Sequence, residues 1–456
     1  MLKKTLIVGK IAALVLLCML GLTGCDNTTD PDNNSGKDPG TIIDPGTDPG
    51  TDPGTDPGTD PGTDPGTDPG TDPGTDPGTD PGTDPGTDPG TPGDEDLLYA
   101  KWPFMVGAAA PGPAFTVTNG QYALLKHFEV LVAENDMKPD ALMPASKPAS
   151  LPGTYRWTNA DKLVNYAEAN NTKIRGHVLI WHNQTPLWYF NGSGTSGRAT
   201  KAELYGRMES HIKTVFEKYG GRVGWWDVCN EVVDDSVSGP RAGSPYTQIM
   251  QDAGLTGMNR YEYVLRAFQW ARQYADANGG QDVKLYLTDY NIEYSGTKQN
   301  DFTSLVDWLI TNNAPIDGVG IQGHLRWDWP EVSQISSAID KFSAKTRTDG
   351  KKLMTQVTEL DMSLFRWDPE TSTQRLQTLT DNVRDQRLTQ QAVKYRQLFD
   401  MFAQKYNAGK LDMVLLWGLA DGESWLNYSP VQGRTDYPLL FDRGYQPKEA
   451  FNKLME

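Results

Sequence analysis

The feature that most constrains this chain is the regular alternation, after residue 96, of short apolar runs with longer amphipathic segments. A short apolar run is typical of a buried strand, and an apolar stripe with helical spacing is typical of a packed helix. Eight runs are predicted as strands: Phe104–Ala108, Val130–Glu134, Lys173–Ile180, Val223–Glu231, Lys284–Asp289, Gly318–His324, Leu353–Asp361 and Val414–Gly418. Helical patterns fall between them, for example over Lys201–Tyr219, Tyr261–Asn278, Lys298–Thr311, Gln334–Ala344 and Gln390–Tyr406.

This alternation predicts an α/β fold in which a single (β/α)8 TIM barrel spans residues 97–456. A doubly wound open sheet is the alternative. Polar and aromatic residues cluster at the C-terminal ends of nearly all the predicted strands. A barrel gathers those ends at one mouth, where active sites are built, whereas an open sheet rarely draws its ligand crevice from so many strands. The distribution therefore favours the barrel.

Residues 1–24 have the pattern of a bacterial export signal, with Lys3, Lys4 and Lys10 ahead of an apolar stretch that reaches Leu22. That stretch is too short for a spanning helix, which needs about 20 apolar residues. The string Leu-Thr-Gly-Cys25 then resembles the lipobox of bacterial lipoproteins, which implies a lipid on Cys25. An ordinary secretory signal with a chance cysteine is the alternative. We expect an exported protein anchored to a membrane of the cell envelope through that lipid.

Residues 25–96 are predicted to be the lipidated cysteine and a disordered linker. From Thr47 to Gly90 the unit Thr-Asp-Pro-Gly recurs 11 times. Proline and glycine in every unit prevent a helix, and no apolar residue is available to build a core. A β-turn ribbon or a binding repeat is the alternative. We expect a solvated spacer that holds the barrel away from the membrane.

The acidic charge belongs to the linker rather than to the predicted barrel. The chain carries a net charge of −17, but residues 26–96 hold 19 acidic groups and one Lys, and residues 1–25 hold three Lys, so the rest is near −2. A nearly neutral body without a basic patch argues against nucleic acid and fits a neutral substrate. Cys229 alone remains in the body, so no intramolecular disulfide is expected there, and its apolar neighbours predict a buried filler. We expect a monomer.

Two glutamates close apolar, strand-like segments: Glu231 ends the run Trp-Asp-Val-Cys-Asn-Glu, and Glu359 lies within Val-Thr-Glu-Leu-Asp. Carboxylates that a barrel brings together can cut a glycosidic bond, because one serves as a proton donor and the other as a nucleophile or base. Two like charges at short distance raise the pKa of one partner, which would separate the two roles. Surface salt bridges are the alternative reading of these residues.

Five strings, taken together, resemble glycoside hydrolase family 10, the endo-β-1,4-xylanases, over essentially all of residues 99–456. They are Arg175-Gly-His-Val-Leu-Ile-Trp-His-Asn-Gln184, Trp226-Asp-Val-Cys-Asn-Glu231, Gly320-Ile-Gln-Gly-His324, Thr358-Glu-Leu-Asp361 and Trp417-Gly-Leu-Ala-Asp-Gly-Glu-Ser-Trp425. The resemblance implies cleavage of internal xylosidic bonds in xylan with retention of configuration. It further implies that Glu231 is the acid/base and Glu359 the nucleophile, with no cofactor and no metal.

The resemblance also implies supporting residues for the two glutamates. His324 would hydrogen-bond Glu359 and be oriented by Asp361, and strand alternation already places Glu359 and Asp361 on one face. Asn230 would bind the 2-hydroxyl of the sugar under attack. In a regular strand Asn230 faces away from Glu231, so the two can share a site only if the strand end twists or bulges.

Further residues are expected, from the same resemblance, to bind sugar. Neutral pyranoses offer hydroxyls and flat apolar faces, so their sites need polar groups interleaved with aromatic rings. The implied sugar-binding residues are Glu134, Asn135, Lys138, His177, Trp181, Gln184, Gln322, Trp417 and Trp425. His182 is expected to support the site from behind. On one strand His177 and His182 would face opposite sides, which argues against zinc.

Residues 364–387 are polar and are expected to form an irregular, lid-like excursion after the seventh strand. Thr288 stands where many family relatives have Asn. Two other functions remain open at this point. One is a non-catalytic surface protein that binds polysaccharide, and the other is a barrel enzyme that acts mainly on β-glucan.

Overall fold

The structure, a computed structural model, describes residues 96–193, 197–366 and 376–456. The predicted export signal, Cys25 and the repeat linker up to residue 95 lie outside the described residues, as do residues 367–375 of the expected excursion. Across the described ranges, no helix combines the length and the apolar content needed to cross a membrane.

The described residues form nine parallel-paired strands. They are β1 (Met105–Ala110), β2 (Val130–Ala133), β3 (Lys173–Gly176), β4 (Trp225–Asn230), β5 (Lys284–Asp289), β6 (Gly318–Ile321), β7 (His324–Arg326), β8 (Met354–Ser363) and β9 (Leu411–Leu416). Neighbours pair in chain order from β1 to β6, β6 then pairs with β8, and β9 pairs with both β8 and β1. The short β7 pairs only with the end of β8. Eight strands therefore close a barrel, which confirms the (β/α)8 prediction and excludes the open sheet.

Helices fall between the strands along the described chain. They are α1 (Pro139–Leu142), α2 (Thr158–Ala169), α3 (Lys201–Tyr219), α4 (Pro245–Asp252), α5 (Glu262–Ala277), α6 (Thr297–Thr311), α7 (Val332–Ser343), α8 (Asp381–Asn407) and α9 (Glu449–Met455). Helix α3 shows why the sequence specifies them. Thr200 and Glu203 form a reciprocal cap at its start, and residues at helical spacing, among them Leu204, Met208 and Ile212, are buried in the core.

A buried polar network lies inside the barrel below the mouth, beside an apolar cluster from β1, β2 and β9. Arg175 of β3 donates from Nε to Gln356 Oε1 of β8 at 3.0 Å, and because β3 and β8 are not neighbours in the sheet this bond crosses the interior. The Arg175 guanidinium also forms a two-pronged ion pair with Asp227 of β4. Burial raises the pKa of Asp227, but the charge of Arg175 and the hydrogen bond from His177 together hold it below its usual value. A buried ion pair with these extra hydrogen bonds is a rigid base for the mouth.

Most predicted bounds agree with the structure to within three residues, but two predicted strands are too long. The strand predicted over 173–180 ends at Gly176, and the chain returns to the ladder only at an isolated bridge between Ile180 and Cys229. The strand predicted over 318–324 is broken into β6 and β7 around Gly323, whose φ is +83°. In both cases the apolar pattern continues past the point where the backbone leaves the ladder to supply site residues.

Helix α8 begins earlier than predicted, at Asp381 rather than Gln390. The excursion expected over 364–387 was therefore drawn too long, because its last seven residues are helical. The first turns of α8 bury no apolar stripe, so the sequence carries no helical period there. They are instead stabilised by pairs such as Arg384 with Asp381 and Asp385.

Candidate active site

The two glutamates lie at the same mouth of the barrel, although they belong to strands that are far apart in the sequence. Glu231 directly follows β4, and Glu359 lies within β8. The segment from Gln322 to His324 connects them: Gln322 Nε2 donates to Glu231 Oε1 at 3.1 Å, and His324 Nε2 lies 3.3 Å from Glu359 Oε2. One three-residue segment thus contacts both carboxylates.

Glu359 is only 4% exposed and lies beside a charged histidine. Asp361 Oδ2 lies 3.0 Å from His324 Nδ1 and accepts a hydrogen bond from Trp425 Nε1 at 2.8 Å. Burial alone would lower the pKa of His324, but Asp361 and Glu359 more than offset it and raise the pKa well above its usual value. The ring is therefore a cation between two carboxylates. Within the described ranges, the buried oxygen Glu359 Oε1 has no hydrogen-bond partner.

Glu231 departs from strand geometry. Its φ is +56°, in the left-handed region, and the pairing of β4 with β5 shifts register between Asp227 and Cys229. The Glu231 amide donates to the Thr288 carbonyl at 2.9 Å, which fixes this conformation. As a result Asn230 Nδ2 lies 3.3 Å from Glu231 Oε1, although neighbouring side chains in a regular strand point to opposite faces. Asn230 and Glu231 share the site because the strand end is irregular.

The charged groups around Glu231 differ from those around Glu359. Burial raises the pKa of Glu231, but His182, Arg241 and Lys298 and the hydrogen bond from Gln322 bring it below its usual value. His182 is partly buried, and burial lowers its pKa to about 4. Above that pH the His182 ring is neutral, so it no longer lowers the pKa of Glu231.

A second group of predicted residues forms one polar cluster after β2 and β3. Lys138 Nζ donates to Asn135 Oδ1 at 2.9 Å and to Gln184 Oε1 at 2.8 Å, and it lies 4.8 Å from the centre of the Trp181 ring. Burial raises the pKa of neighbouring Glu134, although the charge of Lys138 opposes this. A cavity of about 510 Å³ adjoins Asn135 and Gln184. The cluster offers hydrogen-bonding groups next to an aromatic face, as a sugar requires.

One tryptophan ring borders this cluster and another borders the group around Glu359. The Trp417 ring lies 5.1 Å from the His177 ring and 5.9 Å from Lys138 Nζ, and the Trp425 ring lies 5.0 Å from the ring of His324. His177 is held in turn by Asp227 Oδ2, 2.9 Å from its Nδ1. Burial lowers the pKa of Lys138, and the charges of Glu359 and Glu231 oppose this shift, so the polar cluster lies close enough to both glutamates to interact with them. Cys25 lies outside the described ranges.

A charged cluster behind Glu231 was not among the residues predicted from the sequence. Arg241 Nε donates to the Glu231 carbonyl at 2.8 Å, and Lys298 Nζ lies 2.6 Å from Asp235 Oδ1 and 2.9 Å from Asp289 Oδ1. One signal could have found it. Lys298 lies in the first turn of α6, where a cation opposes the helix dipole, so a carboxylate partner was to be expected.

The two histidines of the strand-three motif have separate partners. His177 is bound to Asp227, whereas His182 lies beside Glu231. Neither histidine lies in a strand, because β3 ends at Gly176 before both of them. In the part of the chain that the structure describes, no group of three or more His, Cys, Asp or Glu side chains is placed to hold a metal ion.

A closed (β/α)8 barrel with two carboxylates and sugar-sized aromatic surfaces at its mouth is the arrangement of a glycoside hydrolase. Comparison with known families agrees: the model for glycosyl hydrolase family 10 matches residues 96–456. The chain belongs to that family.

Individual relatives are similar over the same part of the chain. Endo-1,4-beta-xylanase C of Paenibacillus barcinonensis is 38% identical over 77% of this chain, which spans only 30% of that protein. A thermostable celloxylanase of Thermoclostridium stercorarium is 37% identical, over 76% of this chain and 83% of that protein. A solved family 10 structure from Paenibacillus barcinonensis matches with a TM-score of 0.69 and 38% identity, over 78% of this chain and 95% of that one.

Proposed function

We propose that this protein is an endo-1,4-β-xylanase that hydrolyses internal β-1,4-xylosidic bonds of xylan and retains the anomeric configuration. Glu359 is the nucleophile and Glu231 the acid/base. The observation that carries this proposal is the pair of glutamates at one barrel mouth, one beside a cationic histidine and the other beside a neutral one. Membership in family 10 and the xylanase relatives support the substrate class.

In the first step the Glu359 carboxylate attacks the anomeric carbon while the bond to the leaving oxygen breaks. The His324 cation attracts the Glu359 carboxylate and fixes its position, and Glu231 gives its proton to the leaving oxygen. Glu231 must be protonated for this step. A bound sugar displaces water from its carboxyl group, and desolvation favours the neutral form of a buried acid.

In the second step a water molecule attacks the same carbon and releases Glu359. The ester has no charge, so the repulsion between the two carboxylates has gone, and Glu231 as a carboxylate takes a proton from the water. Arg241 and Lys298, which help to lower the pKa of Glu231, favour this charged form. Two inversions at one carbon give net retention.

The remaining contacts position the polymer. Asn230 and Gln322, which are hydrogen-bonded to each other at 3.0 Å, border Glu231 and can bind hydroxyls of the sugar under attack. The cluster around Lys138 binds the sugars on the glycone side. Trp417 and Trp425 enclose the ring, and because xylose lacks the hydroxymethyl group of glucose, crowding at these walls favours xylan.

The test is turnover of soluble xylan by the wild type and by Glu359→Ala, with the anomeric form of the first products followed by NMR. We expect the β-anomer from the wild type and no measurable turnover from the variant. A crystal structure should place the two carboxyl groups roughly 5–5.5 Å apart, whereas a separation of about 8 Å would indicate inversion. Binding of xylan without turnover by the wild type would support a non-catalytic binding protein instead.

Hydrolysis of β-1,4-glucan is a second candidate function. It is favoured by the similarity to a protein named a thermostable celloxylanase, whose identity to this chain is nearly that of the xylanase relative. Comparing initial rates on soluble xylan and on carboxymethyl cellulose decides between them. Equal rates on the two polymers would overturn the substrate assignment.

The sequence supports a location for this activity. We propose that Cys25 carries a lipid that anchors the protein to a membrane of the bacterial envelope, with the repeat linker holding a monomeric barrel away from it. Metabolic labelling with a radioactive fatty acid should label the wild type but not Cys25→Ala. Unlabelled wild type would refute the anchor, and light scattering of a lipid-free form tests the monomer.

A further inference from the structure

The segment that contacts both glutamates is a break in the sheet. Strand β6 ends at Ile321 and β7 begins at His324, so the residues between them lie outside the regular ladder. The Gln322 side chain extends from this break toward Glu231, and the His324 ring extends toward Glu359. The conformation of the break therefore sets both contacts at once.

Gly323 is the centre of this break. Its φ of +83° is in the left-handed region, and a Cβ built there would lie 2.9 Å from Val357 Cγ1, so both strain and space demand glycine. The start of the break is fixed by main-chain bonds, since the Gln322 amide donates to the Asp289 carbonyl at 3.1 Å. The Gly323 amide instead donates to a side chain, Glu293 Oε1, at 2.9 Å.

Glu293 is a buried acid that the proposed reaction does not use. It is 2% exposed and lies in the loop after β5. Burial raises the pKa of Glu293, although hydrogen bonds from backbone amides and the charge of His324 oppose this. The Gly323 amide requires an oxygen at hydrogen-bonding distance, so the contact depends on the length of the Glu293 side chain rather than on its charge.

We propose that Glu293 is a positioning residue that fixes the turn at Gly323 and, through it, the orientation of both Gln322 and His324. A buried amide without an acceptor is strongly disfavoured, so the turn relaxes to find another partner when the Glu293 oxygen is withdrawn. A shift of about 1 Å in a reacting group can reduce turnover about 100-fold. The proposal rests on the proposed function, because it takes Glu231 and Glu359 as the reacting pair.

Two substitutions separate the effect of the length of the Glu293 side chain from the effect of its charge. Glu293→Gln keeps an oxygen at the same distance from the Gly323 amide but removes the charge, and Glu293→Asp keeps the charge but is one methylene shorter. On soluble xylan we expect Glu293→Gln to have a kcat within about twofold of wild type. Glu293→Asp should lose about 10- to 100-fold in kcat with KM changed less than about threefold. Glu293→Asp also remains informative if the more drastic Glu293→Ala fails to fold.

Asp317 offers a matched control at the other end of the barrel. Its Oδ2 accepts a hydrogen bond from the Leu285 amide at 3.0 Å, the same kind of contact without connection to the mouth. Asp317→Ala should lower the melting temperature and leave kcat per folded molecule unchanged. If Glu293→Asp also changes only the melting temperature, Glu293 is merely structural and the proposal is overturned.

An NMR measurement without substrate completes the test. The chain has only five histidines, so the imidazole N–H signal of His324 can be assigned by comparison with His324→Gln. This signal should move in Glu293→Asp and stay in place in Glu293→Gln. Equal impairment of the two Glu293 variants, or an unmoved signal in Glu293→Asp, overturns the proposal. A wild type without activity on xylan would refute the proposed function instead, and the NMR comparison would still test the positioning.

Discussion

The two glutamates each have a histidine beside them, and the two histidines have opposite charge states. His324 lies between Glu359 and Asp361, whose charges outweigh its burial and keep the ring protonated. His182 lies beside Glu231 without such a pair, and burial lowers its pKa to about 4. A cation suits a carboxylate that acts as a nucleophile, and a neutral neighbour suits a carboxyl group that must alternately hold and release a proton. The difference between the two histidines supports the roles proposed for the two glutamates.

The largest expected effect comes from removing the glutamates themselves. Glu359→Ala should lower kcat on the order of 10⁴-fold or more, because no nucleophile remains. Added azide tests the assignment further. In Glu359→Ala azide replaces the nucleophile and should give the α-glycosyl azide, whereas in Glu231→Ala it attacks the glycosyl ester and should give the β-form. NMR of the products reads out the configuration, and the reverse pattern would exchange the two roles.

The next effect comes from the cation. His324→Gln removes the positive charge but keeps a hydrogen-bonding group, so the ionised form of Glu359 loses its stabilisation. We expect kcat/KM to fall about 100-fold. Initial rates on soluble xylan measure this effect. A kcat/KM within about threefold of wild type would show that the histidine charge does not act on Glu359.

A smaller effect is expected at Arg241, where two variants isolate the charge. Arg241→Lys and Arg241→Met both lose the hydrogen bond to the Glu231 carbonyl, but only Arg241→Met loses the cation that helps to lower the pKa of Glu231. The alkaline limb of kcat/KM should therefore lie at higher pH in Arg241→Met than in Arg241→Lys, because Glu231 keeps its proton longer. If the alkaline limbs of the two variants coincide, the charge of Arg241 does not affect the pKa of Glu231.

The smallest effect is expected at His182. Since its ring is neutral above about pH 4, His182→Asn removes no charge at neutral pH. We expect kcat/KM at pH 7 to stay within about threefold of wild type, with both limbs of the profile in place. A loss as large as that of His324→Gln would break the contrast between the two histidines.

The sequence predicted the barrel because its signals are local and repeated. Helix α3 carries both a cap and a stripe, and its predicted bounds match the structure, as do those of β5. The apolar pattern predicted the wrong strand ends where tertiary structure bends the backbone out of the sheet. The apolar runs around Gly176 and Gly323 continue beyond their strands, since those backbones turn to supply His177 and His324.

The site was partly visible in the same way. The alternation of side chains along a strand correctly placed Glu359 and Asp361 on one face. The contact between Asn230 and Glu231 depends instead on the left-handed backbone of Glu231, which no local sequence pattern predicts. Arg241 was missed because a cation in a long loop looks like any solvated charge. Its partners are Glu231 and Asp235 in its own loop and Tyr290 after β5, and only the folded backbone brings these groups together.

The buried polar network inside the barrel affects how the protein responds to heat. Asp227 is held by Arg175 and in turn holds His177, so one ion pair ties the third and fourth strands to a group at the mouth. Separation of these two strands would release His177 before the rest of the molecule melts, because such openings cost less than global unfolding. On warming, the affinity for the polysaccharide should therefore fall some degrees below the temperature at which circular dichroism shows the helices melting.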